Sequence, residues 1–265
     1  MKILLVGDIF GKGGRKVVRH VLPRVVDREA VDLTIANVEN ATRGLGVSRD
    51  AVLELREAGV QVMTSGNHIW KRPGVKELLE SEPFLVRPAN YPTDVPGKGS
   101  VVWESNLGAK VGVLNLMGRV FMDPLECPFR VGEEHINRFS KEGVRLVVLD
   151  FHAEATSEKS ALAWFLDGRV SAVVGTHTHV QTADERILPN GTGYITDAGM
   201  TGPQDSVIGV QIQRSVQSFL TGVPQKLEPA SKNLALKGVL ISICEGTGKC
   251  TSIRRISENL DKMES

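Results

Sequence analysis

Cysteine is scarce in this sequence: the chain has three cysteines among 265 residues. Cys127, Cys244 and Cys250 are odd in number and share no spacing of the kind that cysteine-ligated metal sites have. These features argue against a disulfide framework, which is typical of small secreted proteins. We therefore expect three reduced thiols in a cytoplasmic protein.

An excess of charge of either sign is also missing, because 32 Lys and Arg residues nearly balance 31 Asp and Glu residues. Binding to long nucleic acid normally needs a basic groove, so we expect no such partner, although a local basic groove is compatible with this charge balance.

Long apolar runs are missing as well, since no apolar stretch approaches the ~20 residues that span a bilayer. The first apolar run is short and ends at Asp8, so we expect neither a signal peptide nor a membrane partner.

The glycine motifs that bind nucleotides are also missing from the first turn. The chain opens MKILLVGDIFGKGGRKVV, and a glycine-rich turn after a strand either cradles a phosphate or presents an acidic metal ligand. Gly11, Gly13 and Gly14 match neither GxxxxGK[ST] nor GxGxxG, which argues against a Rossmann-type dehydrogenase. We interpret this turn as presenting Asp8 to a metal, with glycines that form the turn and let a substrate phosphate approach closely.

Hydrophobic residues make up 41% of the chain, which is enough for a substantial core, and they are arranged as strands and helices in alternation. Residues 14–29, 48–58 and 156–166 have helical periodicity, and Pro23 interrupts the first of these stripes. Eight apolar runs have the length of strands: KILLVG, VDLTIAN, VQVMTSG, KVGVLNLMG, VRLVVLDFH, VSAVVGTH, GYITDAG and GVLISIC. The alternation predicts a single α/β domain over residues 1–265 with a mainly parallel sheet.

The second half of the chain is predicted to be more antiparallel. ILPNGTGYI has Pro-Asn-Gly between two short apolar segments, which is typical of a β-hairpin.

Polar side chains follow five of the predicted strands, where ligands bind in open α/β sheets. Carboxylate, imidazole and amide oxygen ligands suit Mn, Fe, Zn or Co. Seven candidates are too many for one ion, but they suit two ions ~3.5–4 Å apart that share a carboxylate. The pair of alternating histidines could serve one metal each if it lies in a turn. The seven candidate ligands are Asp8, Glu39, Asn40, Asn67, His152, His177 and His179.

Seven motifs together resemble the calcineurin-like metallophosphoesterase superfamily, and within it the YmdB-type cyclic-nucleotide phosphodiesterases of bacteria. The motifs are GDIFG, NVENAT, TSGNHIW, NLMGR, DFHAEATSEK, GTHTHVQTAD and TDAGMTGP, and the likeness extends from Met1 to about Ile256. It implies a four-layer α/β/β/α sandwich with two mixed sheets packed face to face. Most of the superfamily begins D-x-H, whereas Phe10 occupies the third position here, and Asn40 is the natural substitute for that histidine.

The resemblance also implies a role for each candidate. Glu39 would bridge two metals, Fe or Mn, and His68 would act as general acid. The first metal would be held by Asp8, Asn40 and His179, and the second by Asn67, His152 and His177. A hydroxide shared by the metals would attack phosphorus, with 2′,3′-cyclic nucleotides as the leading class of small diester substrate. Homo-oligomer formation is compatible with the resemblance.

Other functions stay open at this point. A phosphomonoesterase or protein phosphatase could use the same metals, and a nuclease is disfavoured by the weak net charge. A regulatory nucleotide-binding protein with slow turnover is the non-enzyme alternative.

Three single residues also have two interpretations each. Glu154 either orients a ligand histidine or is an acid in the first turn of the next helix. Arg119 either contacts substrate or forms a surface salt bridge, and Trp70 either stacks on a base or packs in the core.

Overall fold

Thirteen strands are present in the computed structural model, which describes residues 1–260. In chain order they are β1 (Lys2–Val6), β2 (Asp8–Ile9), β3 (Leu33–Asn37), β4 (Val62–Thr64), β5 (Ser100–Glu104), β6 (Lys110–Met117), β7 (Leu146–His152), β8 (Ala172–Thr176), β9 (Arg186–Ile187), β10 (Gly193–Ile195), β11 (Met200–Pro203), β12 (Leu234–Ile243) and β13 (Cys250–Asn259). Seven of the eight runs predicted as strands contain one of these elements, and the eighth, GVLISIC, overlaps the second half of β12.

The strands form two mixed sheets. The first has the order β2-β11-β12-β1-β3-β4, and β13 pairs with β12. The second has the order β5-β6-β7-β8-β10-β9. β1, β3 and β4 are parallel, as are β6, β7, β8 and β10. Most antiparallel pairs involve the later strands, and β9 with β10 forms the predicted hairpin.

Three apolar layers hold the sheets and helices together. Along β1, Ile3 and Leu5 belong to the layer between the two sheets, whereas Leu4 and Val6 face the helices on the outside of the first sheet. A third layer joins the second sheet to its own helices and includes Phe151. Because successive strand residues point to opposite faces, strands buried on both sides need continuous apolar runs. The α/β/β/α sandwich expected from the resemblance is confirmed.

The α-helices of residues 1–260 are α1 (Gly11–Glu29), α2 (Arg49–Glu57), α3 (Val75–Ser81), α4 (Pro128–Lys141), α5 (Thr156–Phe165) and α6 (Ile212–Thr221), and a short 3-10 helix spans Ile69–Lys71. The helix predicted over residues 14–29 is present, and α1 continues through Pro23. A proline inside a helix removes one N–H donor, and here the apolar face of α1, buried on the first sheet, keeps the helix intact. No helix within residues 1–260 has the length and hydrophobicity needed to cross a membrane.

The single-domain prediction covers residues 1–265. Residues 261–265 lie outside the described residues, so it stays a prediction.

For the site, the important feature is that parallel strands of both sheets end at the same edge. β3 and β4 of the first sheet and β7 and β8 of the second sheet are each followed by one of the polar segments identified in the sequence.

Candidate metal centre

The structure brings the polar strand ends together. Asp8 opens β2, His152 is the last residue of β7, and the other candidates lie in the turns after β3, β4 and β8. His177 and His179 follow the end of β8 at Thr176, so they lie in a turn rather than in a strand. Both have positive φ, 99° and 67°, which is uncommon for residues other than glycine and tends to occur at functional sites.

Glu39, His152 and His177 form the centre of the cluster. Their donor atoms all lie within 4.8 Å of one another. His152 Nε2 is 3.2 Å from Glu39 Oε2 and 3.1 Å from His177 Nδ1. Asn67 reaches the same imidazole nitrogen from the turn after β4, since its Oδ1 is 3.0 Å from His152 Nε2. Four of the seven candidates therefore share one small space.

Asp8 approaches this centre from the first sheet. Its Oδ2 accepts the backbone N–H of His177 at 3.2 Å. Its Oδ1 is 3.8 Å from His152 Nδ1 and, although buried, has no hydrogen-bond partner within residues 1–260. A buried carboxylate oxygen without a partner is costly, so this atom calls for a ligand that the protein itself does not supply.

Asn40, His68 and His179 form the opposite side of the cluster. Asn40 Nδ2 donates to Glu39 Oε1 at 2.9 Å and lies 3.2 Å from His179 Nε2. Asn40 Oδ1 is 2.8 Å from His68 Nδ1, which is also 3.1 Å from Glu39 Oε1. The amide nitrogen of Asn40 thus faces Glu39 and His179, so use of its oxygen as a ligand requires the amide to turn over.

The contacts of His68 assign its tautomer. Both partners of Nδ1, a carboxylate and an amide oxygen, can only accept, so Nδ1 carries a proton. The backbone N–H of His68 also donates to Glu39 Oε2 at 3.0 Å. Nε2 is then the ring nitrogen that remains available to a substrate.

A second buried network lies beneath the cluster, and sequence reasoning missed its centre, Asp150. Asp150 Oδ2 accepts from Asn37 Nδ2 at 3.0 Å and from the Thr64 hydroxyl, and Oδ1 accepts from the Thr176 hydroxyl at 2.7 Å. Thr176 Oγ1 in turn lies 2.9 Å from His152 Nδ1, so the network orients that imidazole. A lone aspartate inside the apolar run VRLVVLDFH was the signal that could have revealed it.

Burial and charge set the protonation of these groups. Burial raises the pKa of Asp8. Burial also acts to raise the pKa of Glu39, but attraction to His152 and His68 outweighs it and holds that pKa well below its usual value. Burial acts to lower the pKa of His152, yet Glu39 and Asp8 bring it to about 9. Burial, with repulsion from His152, lowers the pKa of His177 to about 3. Since imidazole binds metals in its neutral form, metal binding would displace the proton of His152.

The donor set fits transition-metal ions. Two imidazole nitrogens and two carboxylates converge on one space. One of the carboxylate oxygens, Asp8 Oδ1, has no hydrogen-bond partner within the described residues. The backbone at Gly66 is shaped to keep that space open. A Cβ atom there would lie 2.2 Å from His152 Cδ2 and 2.5 Å from Glu39 Oε2, so only glycine leaves room for the donors.

Comparison with known proteins shows the family to which this chain belongs. The family described as YmdB-like protein matches residues 4–256. The chain belongs to the YmdB-like family. The 2′,3′-cyclic-nucleotide 2′-phosphodiesterase of Bacillus subtilis strain 168 is 44% identical over 263 residues, which is 99% of each chain. The motifs had pointed to this family, and that prediction is confirmed.

Two solved structures share the fold of this YmdB-like chain. A hypothetical protein from Thermus thermophilus superposes with a TM-score of 0.91 at 43% identity, covering 98% of this chain and 99% of that one. A protein from Mycoplasma pneumoniae, described as a novel phosphatase, superposes with a TM-score of 0.90 at 36% identity, covering 100% and 96%.

Gly13 and Gly14 do not leave room for a substrate phosphate, contrary to what the sequence had suggested. A Cβ at Gly14 would lie 2.5 Å from Thr201 O, and one at Gly13 would lie 2.9 Å from Leu234 Cδ2. Protein atoms, rather than a substrate phosphate, occupy the space beside both glycines. They allow α1 to pack closely on the first sheet, and Asp8 is still presented as expected.

Three side chains with open alternatives can also be placed. Glu154 Oε2 is 3.1 Å from His177 Nε2, which agrees with a role in orienting a ligand histidine. Trp70 packs edge-on against Tyr91, with ring centroids 5.5 Å apart, and contacts the outer apolar layer as expected for core packing. The side chain of Arg119 is exposed, while its backbone N–H donates to Glu158.

Proposed function

We propose that this protein hydrolyses 2′,3′-cyclic nucleotides with the aid of two transition-metal ions. That the chain is a hydrolase follows from its 44% identity to an enzyme over 99% of its length. The substrate class and the role of each residue are the proposal. The observation that carries it is the cluster of Glu39, His152 and His177 donor atoms within 4.8 Å of one another, beside the unsatisfied, buried Oδ1 of Asp8.

The candidate ligands would divide between two ions. Glu39 would contact both, since it lies between the His152 side and the His68 side of the cluster. One ion would be held by Asp8, Asn40 and His179, and the other by Asn67, His152 and His177. Bound there, Fe or Mn would supply a Lewis acid that makes a water molecule acidic and neutralises phosphoryl oxygens.

His68 is the proposed general acid. Water adds to phosphorus and releases one proton to solvent, the bond from phosphorus to the ribose 2′ oxygen breaks, and that oxygen takes the Nε2 proton of a doubly protonated His68, which leaves a 3′-nucleotide. The Nδ1 contact to Glu39 Oε1 holds the ring in place for this transfer. The bond that breaks is the one named for the B. subtilis relative.

A His68→Ala variant tests this assignment. General acid catalysis contributes about 10²–10⁴-fold to a rate, so kcat for 2′,3′-cyclic AMP should fall within that range while the metal content stays unchanged. His20, an exposed histidine on α1, provides the matched control, and His20→Ala should hydrolyse the diester like the wild type. Wild-type turnover by His68→Ala with both metals bound would show that the acid is another group.

A phosphomonoesterase is the second candidate, favoured by the description of the M. pneumoniae structure as a phosphatase. Hydrolysis of 2′,3′-cyclic AMP and of p-nitrophenyl phosphate by Mn-loaded and by chelator-treated protein separates the two functions. Metal-dependent turnover of the cyclic diester with little monoester turnover is the expected result. Turnover of the monoester alone would move the protein to the phosphatases. The cytoplasmic location and homo-oligomer formation stay predictions.

A further inference from the structure

A cleft of about 420 Å³ opens directly beside the candidate metal centre. Asn40, His68 and His179 form the end of the cleft that it shares with that centre. Its other walls come from residues 43–45 and from side chains between positions 208 and 229. The volume lies within the range of ~300–1,000 Å³ that is usual for small-molecule sites.

The walls away from the metal centre are apolar and open to solvent. Leu45, Ile208 and Leu227 line the cleft, and they are 40%, 55% and 54% exposed. Val210 and Pro229 complete this surface. An apolar surface that adjoins convergent polar groups is typical of a binding site for a ligand with one flat, apolar part.

Phe10 connects the two walls. Its ring lies edge-on to His179, with ring centroids 5.8 Å apart. A Cβ at Gly44 would lie 2.6 Å from Phe10 Cζ, and a Cβ at Gly209 would lie 2.8 Å from Phe10 Cδ1. Both glycines have positive φ, 78° and 104°. The two loops therefore pack on the same ring, which fixes the width of the cleft.

An arginine side chain supports the loop that carries Leu45. Arg72 Nε donates to Leu45 O at 2.7 Å, and Arg72 Nη2 donates to Thr42 O at 2.6 Å. The loop is thus held from behind, so Leu45 is presented on a fixed backbone. Arg43, at the rim of the cleft, adds a positive charge and hydrogen-bond donors.

We propose that this cleft binds the base of a cyclic nucleotide whose phosphate lies beside His68 and His179. The inference rests on the proposed function, since it deepens the specificity of the same site. A nucleobase has two apolar faces and a polar edge, which match the apolar walls and the rim arginine. The cleft would then favour nucleotides over cyclic phosphates that lack a base.

Two substrates and three variants test the proposal. The substrates are 2′,3′-cyclic AMP and the base-free methyl ribofuranoside 2′,3′-cyclic phosphate, and the wild type should prefer the nucleotide through a lower KM. Leu45→Asp and Leu227→Asp, on opposite walls, should lower the ratio of the two kcat/KM values by about tenfold. Leu107→Asp, at a leucine 97% exposed in the loop after β5, should keep the wild-type ratio.

Binding of adenosine provides a readout that is independent of hydrolysis. Calorimetry should show adenosine binding to the wild type and to Leu107→Asp, and a loss of about tenfold in affinity in Leu45→Asp. Equal kcat/KM values for both substrates in all variants, together with unchanged adenosine binding, would overturn the base site and leave the proposed function standing. If neither diester is hydrolysed, the proposed function fails, and the adenosine titration alone decides the base site.

Discussion

At the scale of single residues, the turn that carries His177 and His179 depends on a buried ion pair. Lys159 Nζ lies 2.9 Å from Asp197 Oδ2, and both side chains are almost completely buried. The same carboxylate oxygen accepts from the backbone N–H and the hydroxyl of Thr178, at 3.1 and 2.8 Å. Thr178 lies between the two histidines with positive φ, so the ion pair holds that strained turn in place.

We expect Lys159→Met to destabilise the protein by about 3–5 kcal/mol, because it leaves the carboxylate of Asp197 buried without its cation. Urea unfolding with an unchanged m-value measures this loss. The exposed pair of Arg169 with Glu133 provides the control, since its 2.8 Å contact lies at the surface. Arg169→Met should cost about 1 kcal/mol or less. Equal losses in the two variants would contradict a structural role for the buried pair.

Sequence reasoning found the residues that end strands but missed those that support them. Asp8, Glu39 and the histidines could be predicted because each follows an apolar run directly. Asp150 is visible as a lone aspartate in an apolar run, but its partners and the pair of Lys159 with Asp197 could not be predicted, because the paired residues are distant in sequence. A lone charged residue in an apolar run does not show what neutralises it, and only the packing of strands reveals that.

At the scale of secondary-structure elements, α1 and β11 depend on the missing side chain of Gly14. Alanine is a better helix former than glycine by about 1 kcal/mol, but a Cβ here would lie 2.5 Å from Thr201 O. We expect Gly14→Ala to destabilise the protein by about 1–3 kcal/mol in a urea titration, since backbone atoms must move apart.

Gly132 in α4 is the matched helical control for that experiment. A Cβ there would approach only the Leu116 Cδ1 atom, at 3.0 Å, and the end of that side chain can shift. Gly132→Ala should therefore be neutral or slightly stabilising in the same urea titration. If Gly14→Ala proved as stable as Gly132→Ala, the close approach of α1 to β11 would not be what requires glycine.

The strands and most helices could be predicted from periodicity, but their arrangement in two sheets could not. Runs that are apolar on both faces indicate burial between layers without showing which strands pair. β12 illustrates this, since it is late in the sequence yet pairs with β1 in the middle of the first sheet. The resemblance to a known family supplied the two-sheet arrangement.

At the scale of the whole molecule, the candidate metal centre joins the two sheets. Asp8, Glu39 and Asn67 come from the first sheet, and His152 and His177 come from the second. Contacts such as Glu39 Oε2 to His152 Nε2, at 3.2 Å, also join the two sheets at this edge. Metal ions bound there would link the two sheets directly. They would bind only the folded state, because only folding brings these ligands together.

Metal binding should therefore raise the midpoint of thermal unfolding. A ligand at 100 times its Kd that binds only the folded state adds about 2.7 kcal/mol. For a chain of this size, that corresponds to a rise of about 5–10 °C when Mn²⁺ is added to chelator-treated protein. Glu39→Gln should lose most of the rise, because the proposed bridging carboxylate is gone, whereas Glu104→Gln, an exposed change on β5, should keep it. The same rise in Glu39→Gln as in the wild type would mean that Mn²⁺ stabilises the protein from a different site.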